Sequence, residues 1–84
     1  MLFVYALYST NDNKFYIGLT NDIKRRIFEH KSEANHTTAR LDEPRLTYYE
    51  CFENDIDARR REKYLKTTQG KKGLRLILRE TLKT

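Results

Sequence analysis

Phe3-Val4-Tyr5-Ala6-Leu7-Tyr8 and Lys14-Phe15-Tyr16-Ile17-Gly18 are followed at once by Thr20-Asn21-Asp22-Ile23-Lys24-Arg25-Arg26-Ile27-Phe28-Glu29-His30. The first two runs are rich in aromatic and β-branched residues and read as strands over 2–8 and 15–18. The polar stretch Ser9 to Asn13 between them is short enough for a hairpin. Side chains on a strand alternate with period two. A register pairing Tyr5 with Tyr16 would therefore stand both rings on one face, and a slip of one residue would separate them.

The third run reads as a helix. Asn21 or Asp22 can cap it, and the periodicity carries it to about Ser32. Its inward stripe is Ile23, Ile27 and Ala34, with His30 inside that stripe and Arg26 on its margin. Lys24, Arg25 and Glu29 then point to solvent. Arg26 and His30 are one turn apart on the same side, so both can act on one bound group.

Working outward, residues 33–45 read as a polar connection ending at Glu43-Pro44, because proline disfavours helix in the residue before it. Leu46 to Phe52 reads as a third strand. Asn54 caps a second helix running to about Thr68, with Asp57 at the third helical position and Ala58, Glu62 and Leu65 facing inward. Beyond Gly70 and Gly73 a third helix carries Leu74, Ile77, Leu78 and Leu82. The three glycines and single proline are taken as punctuation between segments. The pattern β-β-α-β-α-α gives a small α/β (α+β) domain over residues 1–84, a mainly antiparallel sheet flanked by helices.

Composition bounds the function. A chain of 84 residues has room for one domain, and one this small buries only about 60–65% of its unfolded surface. The net charge of +5 and pI near 9.5 favour a polyanionic partner such as nucleic acid. The single Cys51 cannot form an internal disulfide and reads as a small core residue. With no apolar run of about 18 residues and no leader pattern, a cytoplasmic protein without membrane contact is expected.

Glu62 is the main physical anomaly. An inward carboxylate costs several kcal/mol unless it is paired or holds a cation. It either pairs with Arg26, Arg59 or Lys66, or it is a ligand for one hard divalent cation such as Mg²⁺. Arg26 has the planar fork that suits a phosphate oxygen and the added charge of a phosphoryl transition state, although most helix arginines pair with a carboxylate. His30 reads as either a hydrogen-bonded core histidine or a proton acceptor. Tyr5 and Tyr16 either fill the core or, beside a cation or imidazole, take part in proton transfer. Arg59-Arg60-Arg61 and Lys66, Lys71, Lys72, Arg75 and Arg79 read as a solvated basic surface for backbone contacts to nucleic acid.

At these residues the chain resembles the GIY-YIG nuclease family. The counterparts of the signature are Phe3-Val4-Tyr5 and Tyr16-Ile17-Gly18. The match continues through Thr20, Asn21, Arg25-Arg26, His30, Tyr48-Tyr49-Glu50, Ala58 to Lys63, and Leu65-Lys66, and the short stand-alone prokaryotic members are most similar. The resemblance implies metal-dependent hydrolysis of DNA phosphodiester bonds on a three-stranded antiparallel sheet, in a setting of DNA repair or recombination. It implies catalytic roles for Tyr5, Tyr16, Arg26, His30 and Glu62, with Glu62 holding Mg²⁺ or Mn²⁺. Gly18, Lys24, Arg25, Arg40, Arg59 and Lys66 are the candidate nucleic-acid contacts. Two positions depart from the family pattern: Phe3 replaces the first glycine, and no asparagine lies between Lys63 and Thr84, Gln69 being the one side-chain amide there. A non-catalytic nucleic-acid-binding module with the same fold is the alternative. RNA as the polyanion and a protein partner for targeting both stay open.

Overall fold

The structure, a computed structural model, describes residues 1–36 and 44–83, excepting the side chains of residues 30–36. Its elements are β1 (Leu2–Ser9), β2 (Lys14–Thr20), α1 (Ile23–His36), β3 (Arg45–Phe52), α2 (Asp55–Leu65) and α3 (Thr68–Ile77), closed by a 3-10 turn at Thr81–Lys83. The three strands form one antiparallel sheet in the order β2-β1-β3. This is the α+β architecture, in the element order, that the sequence predicts.

The hairpin register differs from a Tyr5–Tyr16 pairing by two residues. Tyr5 stands opposite Gly18, and Tyr16 opposite Leu7. An even offset preserves the face, so the two tyrosines still share one side of the sheet, on a diagonal. The loop Thr10–Asn13 sets this register, with Asn13 at φ 55°, the left-handed conformation that asparagine tolerates. On β3, Tyr49 faces Tyr5 and Tyr48 faces Ala6, and a bulge follows between Ala6 and Leu7.

Direct cross-strand partners share a face, so the pairing sorts the sheet into two sides. One bears Val4, Ala6, Tyr8, Phe15, Ile17, Leu19, Tyr48 and Phe52, which pack with Ala58 and Leu65 of α2 and with Leu74 and Leu78 at the end of α3. This is the core. The other side bears Phe3, Tyr5, Leu7, Tyr16, Gly18, Tyr49 and Cys51. Cys51 is exposed there rather than buried, because its strand parity places it opposite Phe3, away from α2 and α3.

The helix boundaries need three further corrections. α1 continues to His36, past Ser32, since Glu33 and Ala34 are compatible with helix. α2 ends at Leu65, and α3 begins at Thr68 under a cap from Thr67, whose hydroxyl accepts from the Gly70 amide at 3.1 Å. Gly70 and Gly73 therefore lie inside α3, and Gly18 inside β2, rather than between elements. At Gly70 a Cβ would come within 2.2 Å of the Tyr64 carbonyl oxygen, so its absence lets α3 pack onto the end of α2. Ile77, expected inward, is 56% exposed, because α3 buries only the Gly70 and Leu74 line and the chain turns at Leu78.

Several residues of the supposed solvated basic surface are fixed into the fold. Arg61 donates from Nε to Glu50 Oε1 at 2.8 Å and from Nη2 to Oε2 at 3.0 Å, while Tyr48 donates to Glu50 at 2.5 Å. Arg75 donates to the Asn13 carbonyl at 2.8 Å and lies over the rings of Tyr8 and Phe15, tying α3 to the hairpin turn. Arg79 donates to the Leu76 carbonyl at 2.6 Å, satisfying a free acceptor at the helix end.

Candidate active site

The site starts from a helix cap. Asp22 accepts the Arg25 amide on its side chain at 3.1 Å, its carbonyl accepts the Arg26 amide at 3.1 Å, and Thr20 Oγ1 accepts the Asp22 amide. Of the two candidate caps, Asp22 is the one used. The capped turn points Arg26 at the sheet, where Nε donates to the Tyr5 hydroxyl oxygen at 2.7 Å and the guanidinium lies 5.9 Å from the centre of the Tyr5 ring. Nη1 donates to Glu29 at 3.3 Å. The hydrogen bond to Tyr5 raises the pKa of Arg26 further, more than desolvation lowers it, so the guanidinium is a permanent cation.

Gly18 makes this arrangement sterically possible. A Cβ there would lie 2.3 Å from the Tyr5 ring carbon that bears the hydroxyl. The ring thus leans across β2, filling the space that any other residue would occupy. Gly18 was a candidate for close approach by nucleic acid; what approaches it is the phenol. Packed between Gly18 and Arg26, Tyr5 is only 5% exposed. Tyr16, on the same face, is 45% exposed and donates its hydroxyl to Asp12 Oδ2 at 2.8 Å.

Glu62 belongs to the inward side of α2, between Ala58 and Leu65, as the periodicity requires. Its carboxylate is 21% exposed and pairs with Lys66 at 3.1 Å, so of the three possible partners Lys66 is the one engaged. α2 covers the core face, the opposite side of the sheet from Tyr5 and Tyr16. Successive helix residues are about 100° apart. From the Ala58–Leu65 line, Arg61 therefore lies on the flank toward β3, where it binds Glu50, and Glu62 on the flank turned away from β3. That is the side of β2, the edge strand carrying Tyr16.

A profile of the GIY-YIG catalytic domain matches residues 1–75. The chain belongs to the GIY-YIG family. It is 34% identical over 84 residues to a UPF0213 protein of Clostridium perfringens, covering 99% of this chain and 89% of that one. It is 40% identical over 67 residues to a UPF0213 protein of Limosilactobacillus reuteri, covering 76% and 69%. The solution NMR structure of a UPF0213 protein from Bacillus halodurans superposes with a TM-score of 0.57 at 31% identity, covering 92% of this chain and 85% of that one.

Within this GIY-YIG domain, Tyr5 and Arg26 are hydrogen-bonded beside Gly18, Tyr16 shares their face, and Glu62 lies on α2, which covers the other face. The backbone of His30 is one turn beyond Arg26 in α1, and its side chain lies outside the described residues, as does all of Arg40. Lys24 and Arg59 are exposed. Arg25 is exposed and lies 3.8 Å from Glu29. No described helix of this GIY-YIG chain is long and apolar enough to cross a membrane.

Two neighbours of the site were missed in the sequence. Asp12, in the hairpin loop, holds the Tyr16 hydroxyl; only the register could reveal that a loop carboxylate reaches back to β2. Tyr49, directly opposite Tyr5, is 53% exposed on the open face. The adjacent pair Tyr48-Tyr49 carried the signal, since alternation must send one ring to the core and the other to the opposite side.

Proposed function

We propose that this chain is a metal-dependent endonuclease that hydrolyses DNA phosphodiester bonds at the β2 edge of its sheet, where the face bearing Tyr5, Tyr16 and Arg26 meets the flank of α2 that bears Glu62. Membership of a family described by a catalytic domain makes a nuclease the starting point, and the observation that carries the reading is the Arg26–Tyr5 bond seated over Gly18. Three elements converge there on a phenol and a fixed cation, and packing of the ring alone does not need the charge.

Arg26 keeps donors beyond the Nε engaged by Tyr5, and in the reaction it binds a phosphate oxygen and offsets the charge that builds on the phosphoryl group. Tyr5 first gives up its own proton with the help of Tyr16 or His30, and as the phenolate it takes the proton of the attacking water. A charge-assisted hydrogen bond strengthens as its acceptor becomes negative, so the Arg26 contact favours formation of that phenolate. Tyr16 is the more accessible of the two phenols and stands on the same face of the sheet.

Glu62 offers a hard divalent cation one partly exposed carboxylate. Among the described residues no group of three His, Cys, Asp or Glu gathers as a ligand set. One carboxylate is nevertheless a sufficient anchor for Mg²⁺ or Mn²⁺, which retain most of their waters. The competing Lys66 is half exposed, and an exposed i,i+4 pair costs about 0.5 kcal/mol to open. When bound, the ion supplies charge neutralisation at the phosphate and the leaving oxygen.

Purified protein should nick supercoiled, branched or flapped DNA in the presence of Mg²⁺ or Mn²⁺ and not with EDTA. Glu62→Ala should abolish nicking while circular dichroism and thermal midpoint stay near those of the parent. Undiminished cleavage by that variant removes the metal assignment. Salt-sensitive DNA binding with no nicking under any divalent ion would instead leave a binding module, a reading consistent with the Glu62–Lys66 pair.

A further inference from the structure

Tyr5 leans toward β2 over Gly18, which leaves the β3 side of the open face to other residues. What stands there is aromatic, with Tyr49 exposed and Phe3 partly so. Tyr49, the direct cross-strand partner of Tyr5, packs against Phe3 with ring centres 5.9 Å apart at 63°. This edge contact holds the Tyr49 ring upright while more than half of the residue remains in solvent. Its flanks are Met1 and Cys51, both exposed. A tyrosine so exposed contributes little to stability, so packing does not account for its place.

We infer that Phe3 and Tyr49 form a stacking platform for an unpaired nucleobase of the strand whose phosphate lies at Arg26. The inference rests on the nuclease reading for the position of the phosphate, and deepens it by naming the substrate class: DNA with a single-stranded segment at the site. Opposite side chains on neighbouring strands stand about 4.5–5.5 Å apart at Cβ, so a base on Tyr49 is adjacent to the Tyr5–Arg26 pair. The two contacts are chemically complementary: a fixed cation for the backbone and a π-face for the base, the combination used on single strands. In a duplex the base faces are covered by their neighbours. Only an unpaired or extruded base can present one to Tyr49.

The chain contains no tryptophan, which gives a direct probe. Tyr49→Trp places a single indole at the platform, and its emission should fall on adding a single-stranded oligonucleotide in EDTA, but not on adding the blunt duplex of the same sequence. Tyr49→Ala should weaken single-strand affinity by about 5- to 150-fold, the range of one base–aromatic stack, and Tyr49→Phe should restore it. Wild-type affinity in Tyr49→Ala, or indole emission insensitive to single strands, overturns the platform. A concentration-dependent dimer that Tyr49→Ala dissolves, with unchanged DNA binding, assigns the patch to a second copy and also overturns it. Because these readouts need no cleavage, a platform that binds in a protein that never nicks DNA separates this inference from the nuclease reading.

Discussion

The two faces of the sheet use tyrosine in opposite ways. On the helix-covered face, Tyr8 and Tyr48 have their hydroxyls answered by Asn13 and by Glu50, and each of those acceptors is also held by an arginine, Arg75 or Arg61. There the arginine fork is consumed inside the fold. On the other face, Arg26 gives Tyr5 its Nε and Glu29 its Nη1, Tyr16 reaches a loop carboxylate, and Tyr49 stands half in water. Adjacent residues of one strand, Tyr48 and Tyr49, thus fall into different environments through strand parity alone. Residue type does not distinguish a structural tyrosine from a candidate functional one here; what its partner has left to offer does.

The covered face should break first, and most expensively, at Glu50. Burial pushes its carboxyl upward, but the hydrogen bonds from Arg61 and Tyr48 prevail and hold it below its usual value of 4.5. Arg61 is correspondingly raised, chiefly by its hydrogen bond to Glu50. Glu50→Gln leaves the guanidinium half-buried without its counter-charge and should cost about 1.5–3 kcal/mol at neutral pH, discounting for partial solvent access. The sign of the pH dependence follows from the depressed carboxyl. Its contribution is complete above pH 4.5 and is lost as pH falls through the lower folded-state value. Thermal melts of the parent should therefore drop on acidification below that point, and those of Glu50→Gln should drop less. A parallel pH dependence in the two proteins would show that the network contributes nothing.

The boundary between the faces is sharpened by Gly18→Ala. The added methyl meets the Tyr5 ring and must displace it, because the other side of the ring is bounded by Arg26. Overpacking of this kind costs about 1–3 kcal/mol, and it acts on one face only. Stability should fall by that amount, with the core otherwise unchanged, and cleavage should fall much further because the phenol and guanidinium are no longer held together. The double variant Gly18→Ala with Tyr5→Leu relieves the clash, so it should regain stability without regaining cleavage. Equal losses in both variants would count against Tyr5 as the obstacle.

Sequence pattern alone carried the element order, the antiparallel sheet, the Asn54 cap and the inward line Ala58, Glu62 and Leu65, because each is a matter of local periodicity or capping chemistry. It did not carry contacts that depend on how elements meet. Gly18 and Gly70 resembled punctuation until the atoms they make room for were known: the Tyr5 ring in one case and the last turn of α2 in the other. Arg61, Arg75 and Arg79 resembled surface charge, since a long side chain's partner lies across space. Cys51 resembled core because apolar strand residues face either way. The Tyr5–Tyr16 relation survived a wrong register only because the error was even.

The smallest effect on stability, and the most discriminating one for the open face, is expected of Arg26→Lys. The charge is kept, α1 keeps its Asp22 cap, and the lost hydrogen bond to Tyr5 is partly solvent-exposed, so stability should change by about 1 kcal/mol or less. A lysine, however, offers a single ammonium in place of a planar fork. It cannot hold the phenol through one edge and a phosphate oxygen through the other. If Arg26 acts in that double way, cleavage should fall about 100- to 1000-fold, the usual cost of a lost transition-state donor, while DNA affinity, which depends on charge, should fall only slightly. A loss shared equally by affinity and cleavage would reduce Arg26 to a backbone contact like any exposed cation of the chain. On that outcome the Tyr5 bond would be a packing device, and the difference between the two faces would be one of exposure rather than of chemistry.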